Sequence, residues 1–132
     1  MKLNLPWVFN MINFEEFSKV ELVVGTILEA EEVEGSEKLI KQIVDFGELG
    51  KKQILSGIKK WYKPESLVGK QFVYVFNLEP RMMMGMASEG MLLATDTDKP
   101  FPIKPISKVP AGTKLRWFEQ VRAPHMKFAL DL

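Results

Sequence analysis

Cysteine is absent from this 132-residue chain, which removes disulfides, thiolate metal sites and thiol nucleophiles together. Such a chain is compatible with a reducing compartment, and the location expected for it is cytoplasmic. Histidine occurs once, as His125, without a spaced acidic or nucleophilic partner, whereas general acid–base chemistry needs one in place. Ser88 lies in Gly85-Met86-Ala87-Ser88-Glu89-Gly90, which is not the G-x-S-x-G nucleophile elbow and has no triad histidine to serve it. No G-x-x-x-x-G-K-S/T loop is present to cradle a phosphate. These gaps predict a protein that is not an enzyme and that uses no cofactor or metal. Apolar runs are short as well, and none approaches the ~20 residues needed to span a bilayer. The stretch Met1–Met11 gathers Leu3, Leu5, Trp7, Val8 and Phe9. Pro6 and Asn10 interrupt it, Lys2 is its lone base, and no small-residue cleavage site follows, so it does not read as a signal peptide.

What remains suits a single folded domain, with 46% hydrophobic and 27% charged residues. The net charge is only +1, but it is unevenly spread. Residues 1–37 hold two lysines and eight glutamates, a net of −6, and residues 38–70 hold eight lysines and three acids, a net of +5. Residues 71–132 hold eight bases and six acids, a net of +2. Such a split predicts one basic surface, unless the sheet folds the segments against each other and cancels the field. The glutamates from Glu29 to Glu37 are interleaved with Ala30 and Val33. They read as a solvated rim, because a hard-ion site needs ligands converging at fixed spacing. Met82, Met83, Met84, Met86 and Met91 crowd into one short stretch. Thioethers suit Cu(I), yet without cysteine or a nearby histidine they read instead as gap filler or an adaptable contact surface.

Asn13 ahead of Phe14-Glu15-Glu16-Phe17 is an N-cap signal for a short helix, with two acids at its positive end. From Val20 the period becomes two. Val20, Leu22, Val24, Leu28 and Ala30 are expected on the buried face of a strand, with Glu21, Glu29 and Glu31 outward and Gly25 marking a bulge or bend. Further strands are expected over Leu39–Phe46 and Lys52–Ile58, joined by a tight Gly47-Glu48-Leu49-Gly50 connection. Pro64–Gly69 reads as one helical turn, Gln71–Phe76 as a central strand, and Met91–Ala94 as another after a loop. Asp96–Pro110 reads as an excursion before a last strand through Leu115 and Trp117. Short strands without β-α-β alternation predict an all-β barrel. The expected domain spans residues 13–118, with extensions at 1–12 and 119–132.

The segment Lys51–Lys63 interleaves cations, a hydroxyl and the aromatics Trp61 and Tyr62. Cations neutralise phosphates and flat rings stack on bases. Phe72, Tyr74 and Phe76 share one face of their strand, and they serve either as such a platform or as core, with core favoured for Phe72 and Phe76. On this pattern alone a nucleic-acid interface and a set of rings that are simply core, Trp61 included, both stay open.

Longer blocks carry more information. Phe14-x-x-Phe17-x-Lys19-Val20-Glu21-Leu22-Val23-Val24-Gly25 is followed by Val33-Glu34-Gly35-Ser36-Glu37-Lys38-Leu39, Lys52-Gln53-Ile54-Leu55-Ser56-Gly57-Ile58 and Tyr62-x-Pro64-Glu65-x-Leu67-Val68-Gly69-Lys70. Then come Asn77-Leu78-Glu79-Pro80-Arg81, Met83-x-Gly85, Ser88-Glu89-Gly90-Met91 and Gly112-Thr113-Lys114. In this order, over roughly residues 12–117, the chain closely resembles the tRNA-binding domain family. That family includes the C-terminal domain of methionyl-tRNA synthetases, the stand-alone synthetase beta subunit, free tRNA-binding proteins and the export chaperone CsaA.

The resemblance implies an OB-fold, a five-stranded barrel with short helical elements and terminal extensions that dimerise. It implies binding of tRNA by shape and backbone, alone or as a trans-acting subunit beside an aminoacyl-tRNA synthetase, with a CsaA-like chaperone or peptide-binding dimer as the alternative. On matching positions it implies an RNA-facing groove of Lys52, Ser56, Asn77, Arg81, Ser88, Glu89 and Met91, with Lys59 of the basic stretch beside it. Lys52 and Arg81 would hold phosphate, while Asn77 and Ser88 would meet sugar or backbone or else hold the protein's own loops. The aromatics Trp7, Phe9, Phe14, Phe17, Trp117 and Phe128, with Val121, are expected in a symmetric dimer interface. Val23, Met82 and Met84 stand where relatives usually present charge, and Gln42 stands at a usually apolar position. Fewer phosphate contacts predict weaker, less salt-dependent binding.

Overall fold

The computed structural model describes residues 10–117. Helix α1 (Phe14–Ser18) begins as expected: the Asn13 side chain accepts a hydrogen bond from Glu16 N at 2.8 Å, with Glu15 and Glu16 in the first turn. Five strands then make the main sheet: β1 (Leu22–Glu32), β2 (Ile40–Asp45), β3 (Lys51–Ser56), β4 (Gln71–Val75) and, after a separate hairpin of β5 (Arg81–Met83) and β6 (Met86–Ser88), β7 (Met91–Leu92). Their spatial order is β3-β2-β1-β4-β7, antiparallel throughout. Single 3₁₀ turns at Gly47–Leu49 and Pro64–Ser66 occupy the two expected turn sites.

The sheet curls into a nearly closed, OB-like barrel, and the seam between its edge strands is clasped by one short segment. Glu89 N donates to Gln53 O at 2.8 Å. Gln53 N donates to Glu89 Oε1 at 2.8 Å, and Leu55 N donates to Ser88 Oγ at 3.1 Å. At Gly90 a Cβ would sit 2.9 Å from Val75 O and 3.2 Å from Ile54 Cδ1, so only glycine passes between β3 and β4. The Gln53 and Leu55 amides of β3 therefore have partners where ladder pairing ends, as burial of backbone amides demands.

Inside lie Val23, Ile27, Ile40, Val44, Phe46, Ile54, Ile58, Leu67, Phe72 and Tyr74. The rings expected to share a face are core: Phe46 meets Tyr74 and Phe76 edge-on, at 5.5 and 5.0 Å between centroids. One polar chain runs through this core. Gln42, with none of its surface exposed, donates from Nε2 to Ser56 Oγ at 2.7 Å and accepts from the Tyr74 hydroxyl at 2.9 Å. Burial raises the phenol of Tyr74 far above its ordinary 10.0, so it stays protonated and keeps donating.

Several expectations need correction. The inward face of β1 is Val23, Gly25 and Ile27, while Val20 and Leu28 are exposed. Val24, on the opposite face, is also buried, and the returning chain pairs with the edge of β1 there: Gly112 N donates to Val24 O and Val24 N donates to Thr113 O, both at 2.8 Å. With both faces covered at its start, β1 has no simple alternation to read. The bulge falls between Ile27 and Glu29 and re-phases the strand, so Ala30 faces the core. Gly25 serves packing instead: a Cβ there would strike Val44 Cγ1 and lie 2.6 Å from Phe46 Cε1. Residues 81–88, read as part of a loop, form the β5–β6 hairpin. The expected last strand is reduced to one bridge, Val23 with Lys114.

Candidate nucleic-acid interface

β5 and β6 pair Arg81 with Ser88, Met82 with Ala87, and Met83 with Met86. Met84 (φ 51°) and Gly85 (φ 76°) make the two-residue turn between them, the positive-φ pair of a type I′ hairpin. The hairpin stands on the barrel seam through Ser88 and Glu89, and its tip leans toward the β1–β2 loop, where a Cβ built at Gly35 would lie 3.5 Å from Met84 Cε. That is ordinary van der Waals distance, so what calls for glycine at 35 is its φ of 84°. The hairpin thus presents Arg81, Met82 and Met84 to solvent, with Met82 70% and Met84 56% exposed.

The eight residues assigned from sequence occupy two kinds of position. Six have partners inside the protein. Lys52 Nζ donates to Phe76 O at 2.7 Å and lies 3.7 Å from the centre of the Phe76 ring. Ser56 Oγ accepts from Gln42. Lys59 Nζ donates to Ser36 O at 2.7 Å and pairs with Glu32 Oε2 at 3.3 Å. Asn77 Oδ1 accepts from Glu21 N at 2.9 Å and its Nδ2 donates to Lys19 O at 2.6 Å, tying the end of β4 to the entry of β1. Ser88 Oγ also donates to Gly90 O at 3.0 Å, and Glu89 holds Gln53. Arg81 and Met91 are exposed, and their side chains face solvent without a hydrogen bond or ion pair among the described residues.

Lys52, Lys59 and Arg81 therefore do not converge as three free cations. Two of the three charges already support the walls, and the third lies on the hairpin. Exposed cations nearby in sequence include Lys51, at the start of β3, and Lys60, whose Nζ is 5.5 Å from the centre of the Trp61 ring. The sequence carries little sign of the hairpin itself: Gly85 suits a positive-φ turn, but Met84 is not a residue type I′ turns prefer. Val23, compared above with a charged position in relatives, is a core residue here.

A run of residues that clasps its own barrel over a β5–β6 hairpin is specific enough to compare. The family model described as "Putative tRNA binding domain" matches residues 22–114. The chain belongs to this tRNA-binding domain family. A methionine–tRNA ligase of Methanothrix thermoacetophila is 51% identical over 107 residues, which is 80% of this chain and 16% of that protein. One from Caldanaerobacter subterraneus subsp. tengcongensis is 48% identical over 105 residues, 79% of this chain and again 16% of the relative. The chain thus spans about a sixth of the length of the ligases it matches. Among solved structures, a methionyl-tRNA-synthetase-related protein from Pyrococcus horikoshii superposes with a TM-score of 0.74 at 37% identity, covering 80% of this chain and 98% of the other. The chaperone CsaA of Bacillus anthracis gives 0.73 at 38% identity, covering 80% and 99%.

Among the described residues of this tRNA-binding domain, no group of three His, Cys, Asp or Glu side chains could hold a metal ion. No described helix is long and apolar enough to cross a membrane. The family's module is a binding domain rather than a catalytic one. A second, largely apolar surface is a cleft of about 440 Å³ whose walls are Phe14, Phe17, Val20, Leu22, Leu115 and Trp117, with Ser18 and Arg116. There Phe14 and Trp117 stack at 4.7 Å, 21° from parallel. Trp7, Phe9, Val121 and Phe128, expected at the same surface, and His125 lie outside the described residues.

Proposed function

We propose that this chain is a tRNA-binding module that recognises shape and backbone, alone or as a trans-acting companion of a methionyl-tRNA synthetase in the cytoplasm. The observation that carries the reading is the solvent-facing hairpin over the barrel seam, in a chain of the tRNA-binding domain family. Arg81 meets phosphate and Met91 packs on exposed sugar or base. Lys52, Ser56, Lys59, Asn77, Ser88 and Glu89 act as positioning residues that hold the walls of the groove, through the hydrogen bonds described above. The RNA-binding unit is residues 13–118, flanked by extensions.

Few free cations in this groove make its electrostatic contribution small, because each neutralised phosphate adds ~0.9 to the slope of log affinity against log salt. A filter-binding titration with total tRNA, at low and high salt, tests this. Arg81→Ala should weaken binding severalfold and lower the slope by about 0.9. Absence of measurable binding by the unaltered chain at low salt would refute the proposal.

The exposed methionines of the hairpin and the likeness to CsaA favour a second reading, a chaperone-like peptide-binding dimer. Flexible thioether surfaces accept varied partners. That reading predicts protection of an unfolded client from aggregation, and it fails if the client aggregates at an unchanged rate.

A further inference from the structure

The proposed groove lies at the end of β4 from which Phe76 and Asn77 emerge. The other end of β4 opens on a separate cleft of about 430 Å³, whose walls include Tyr62, Lys70, Phe101, Lys104, Ile106 and Lys108. The strand itself, Gln71–Val75, sets its two ends about 13 Å apart at ~3.3 Å per residue. None of the eight residues assigned to the first groove lines this cleft, and no acidic residue does.

Charge and apolar surface meet here without an internal use. From Lys99 to Trp117 the chain holds Lys99, Lys104, Lys108, Lys114 and Arg116 and no acid. The ion pairs among the described residues are Lys41–Glu31 and Lys59–Glu32, so Lys70, Lys104 and Lys108 have no acidic partner among them. Three like charges on one rim are relieved by an anion. Phe101 is 52% exposed and Ile106 wholly so, an arrangement that wastes apolar surface unless something flat covers it. The site is also built. The Tyr62 hydroxyl donates to Pro100 O at 2.7 Å. Lys99 Nζ lies 5.2 Å from the Tyr62 ring centre and 5.7 Å from that of Phe101. Val73 N donates to Ile103 O at 2.8 Å and Ile103 N donates to Leu93 O at 3.0 Å, so the wall is pinned to the sheet.

We infer that this cleft is a second RNA contact, which takes one unpaired nucleotide of the bound RNA. The base covers Phe101 and Ile106, and the flanking phosphates sit among Lys70, Lys104 and Lys108. A nucleotide supplies both the flat apolar face and the negative charge, whereas an acidic side chain supplies only the charge. The inference rests on the RNA-binding reading above and extends it to the far side of β4.

The test compares a blunt RNA hairpin with the same hairpin carrying a four-nucleotide single-stranded 3′ extension, by fluorescence anisotropy on the full chain. The unaltered protein should bind the extended RNA more tightly. Phe101→Ala should lose at least about fivefold of that gain, the loss of one stacked base. Lys104→Ala with Lys108→Ala should lower the salt slope by about 1.4 for the extended RNA, at ~0.7 per phosphate of a single strand. Blunt-hairpin binding should be unchanged in both variants, which also reports that they are folded. A 4-thiouridine in the extension should crosslink to Phe101 or its neighbours. Equal affinity for both RNAs, or crosslinks confined to the β5–β6 hairpin, would overturn the second contact while leaving the first intact. If neither RNA binds the unaltered chain, this inference fails, and the RNA-binding reading fails with it only if total tRNA does not bind either. Binding of a poly-glutamate peptide that these substitutions abolish, with no gain from the extension, would reassign the cleft to an acidic protein and overturn the nucleotide proposal.

Discussion

Gln42 has both ends of its buried amide satisfied, by Ser56 and by Tyr74. Replacing it with an apolar residue of similar size removes one group but strands the Tyr74 hydroxyl. Gln42→Leu should therefore cost about 1–3 kcal/mol, the desolvation penalty of an orphaned buried group. Gln42→Leu combined with Tyr74→Phe should regain part of that loss, and urea unfolding of the three variants measures the coupling. A Gln42→Leu protein as stable as the parent would show that the polar chain contributes nothing. The same tyrosine gives a pH dependence. Burial raises its folded pKa above the ordinary 10.0, so above that pH the unfolded chain releases a proton that the folded one keeps. This contribution is fully present below about pH 10 and shrinks as pH rises further. Tyr74→Phe should flatten the alkaline loss of stability in denaturation curves taken from pH 8 to 11. The Asn13 cap was legible because its partner is three residues away. Gln42 was noticed as a misplaced polar residue, but its partners lie 14 and 32 residues off, and no local pattern supplies them.

At the scale of elements, the β5–β6 hairpin is the part least visible from sequence. Its strands have three residues each, too short for alternation to register, and an unbroken methionine run hides the inward and outward faces. Its turn also carries strain, since Met84 holds φ 51°, a region that side chains with a Cβ enter at a cost. Met84→Asn creates the Asn-Gly pair that type I′ turns prefer. It should raise stability by about 0.5–1 kcal/mol in thermal melts, and a lower melting temperature would indicate that the Met84 thioether over Gly35 matters more than its backbone. β1 failed for a different reason. Its period-two pattern was real, but Val23 and Val24, on opposite faces, are both buried, and the bulge after Ile27 then shifts the phase.

For the molecule as a whole, the exposed Phe14–Trp117 stack and its apolar cleft are the surface most at odds with an isolated domain. We propose that a second copy covers it, in a closed two-fold assembly. Sedimentation at micromolar concentration should give a dimer mass, and Trp117→Glu should shift it to the monomer. A monomer mass for the parent chain would end that proposal. Two modules in one particle would also offset the few phosphate contacts of each, through the raised effective concentration of the second site. The sequence by itself determined the family, the all-β barrel and the succession along the chain of the five strands of its main sheet. Those rest on local turn chemistry and on collinear blocks such as Lys52–Ile58 and Ser88–Met91, which need no knowledge of contacts. Only the tertiary structure decided what those blocks do. Closing a barrel brings buried donors from β3 to the Ser88–Gly90 segment, and their need for partners turns side chains of an apparent binding motif into the clasp of the fold. Arg81 and Met91 are left facing outward, and a lysine-rimmed cleft is assembled from residues 62, 70 and 101–108, which lie far apart along the chain.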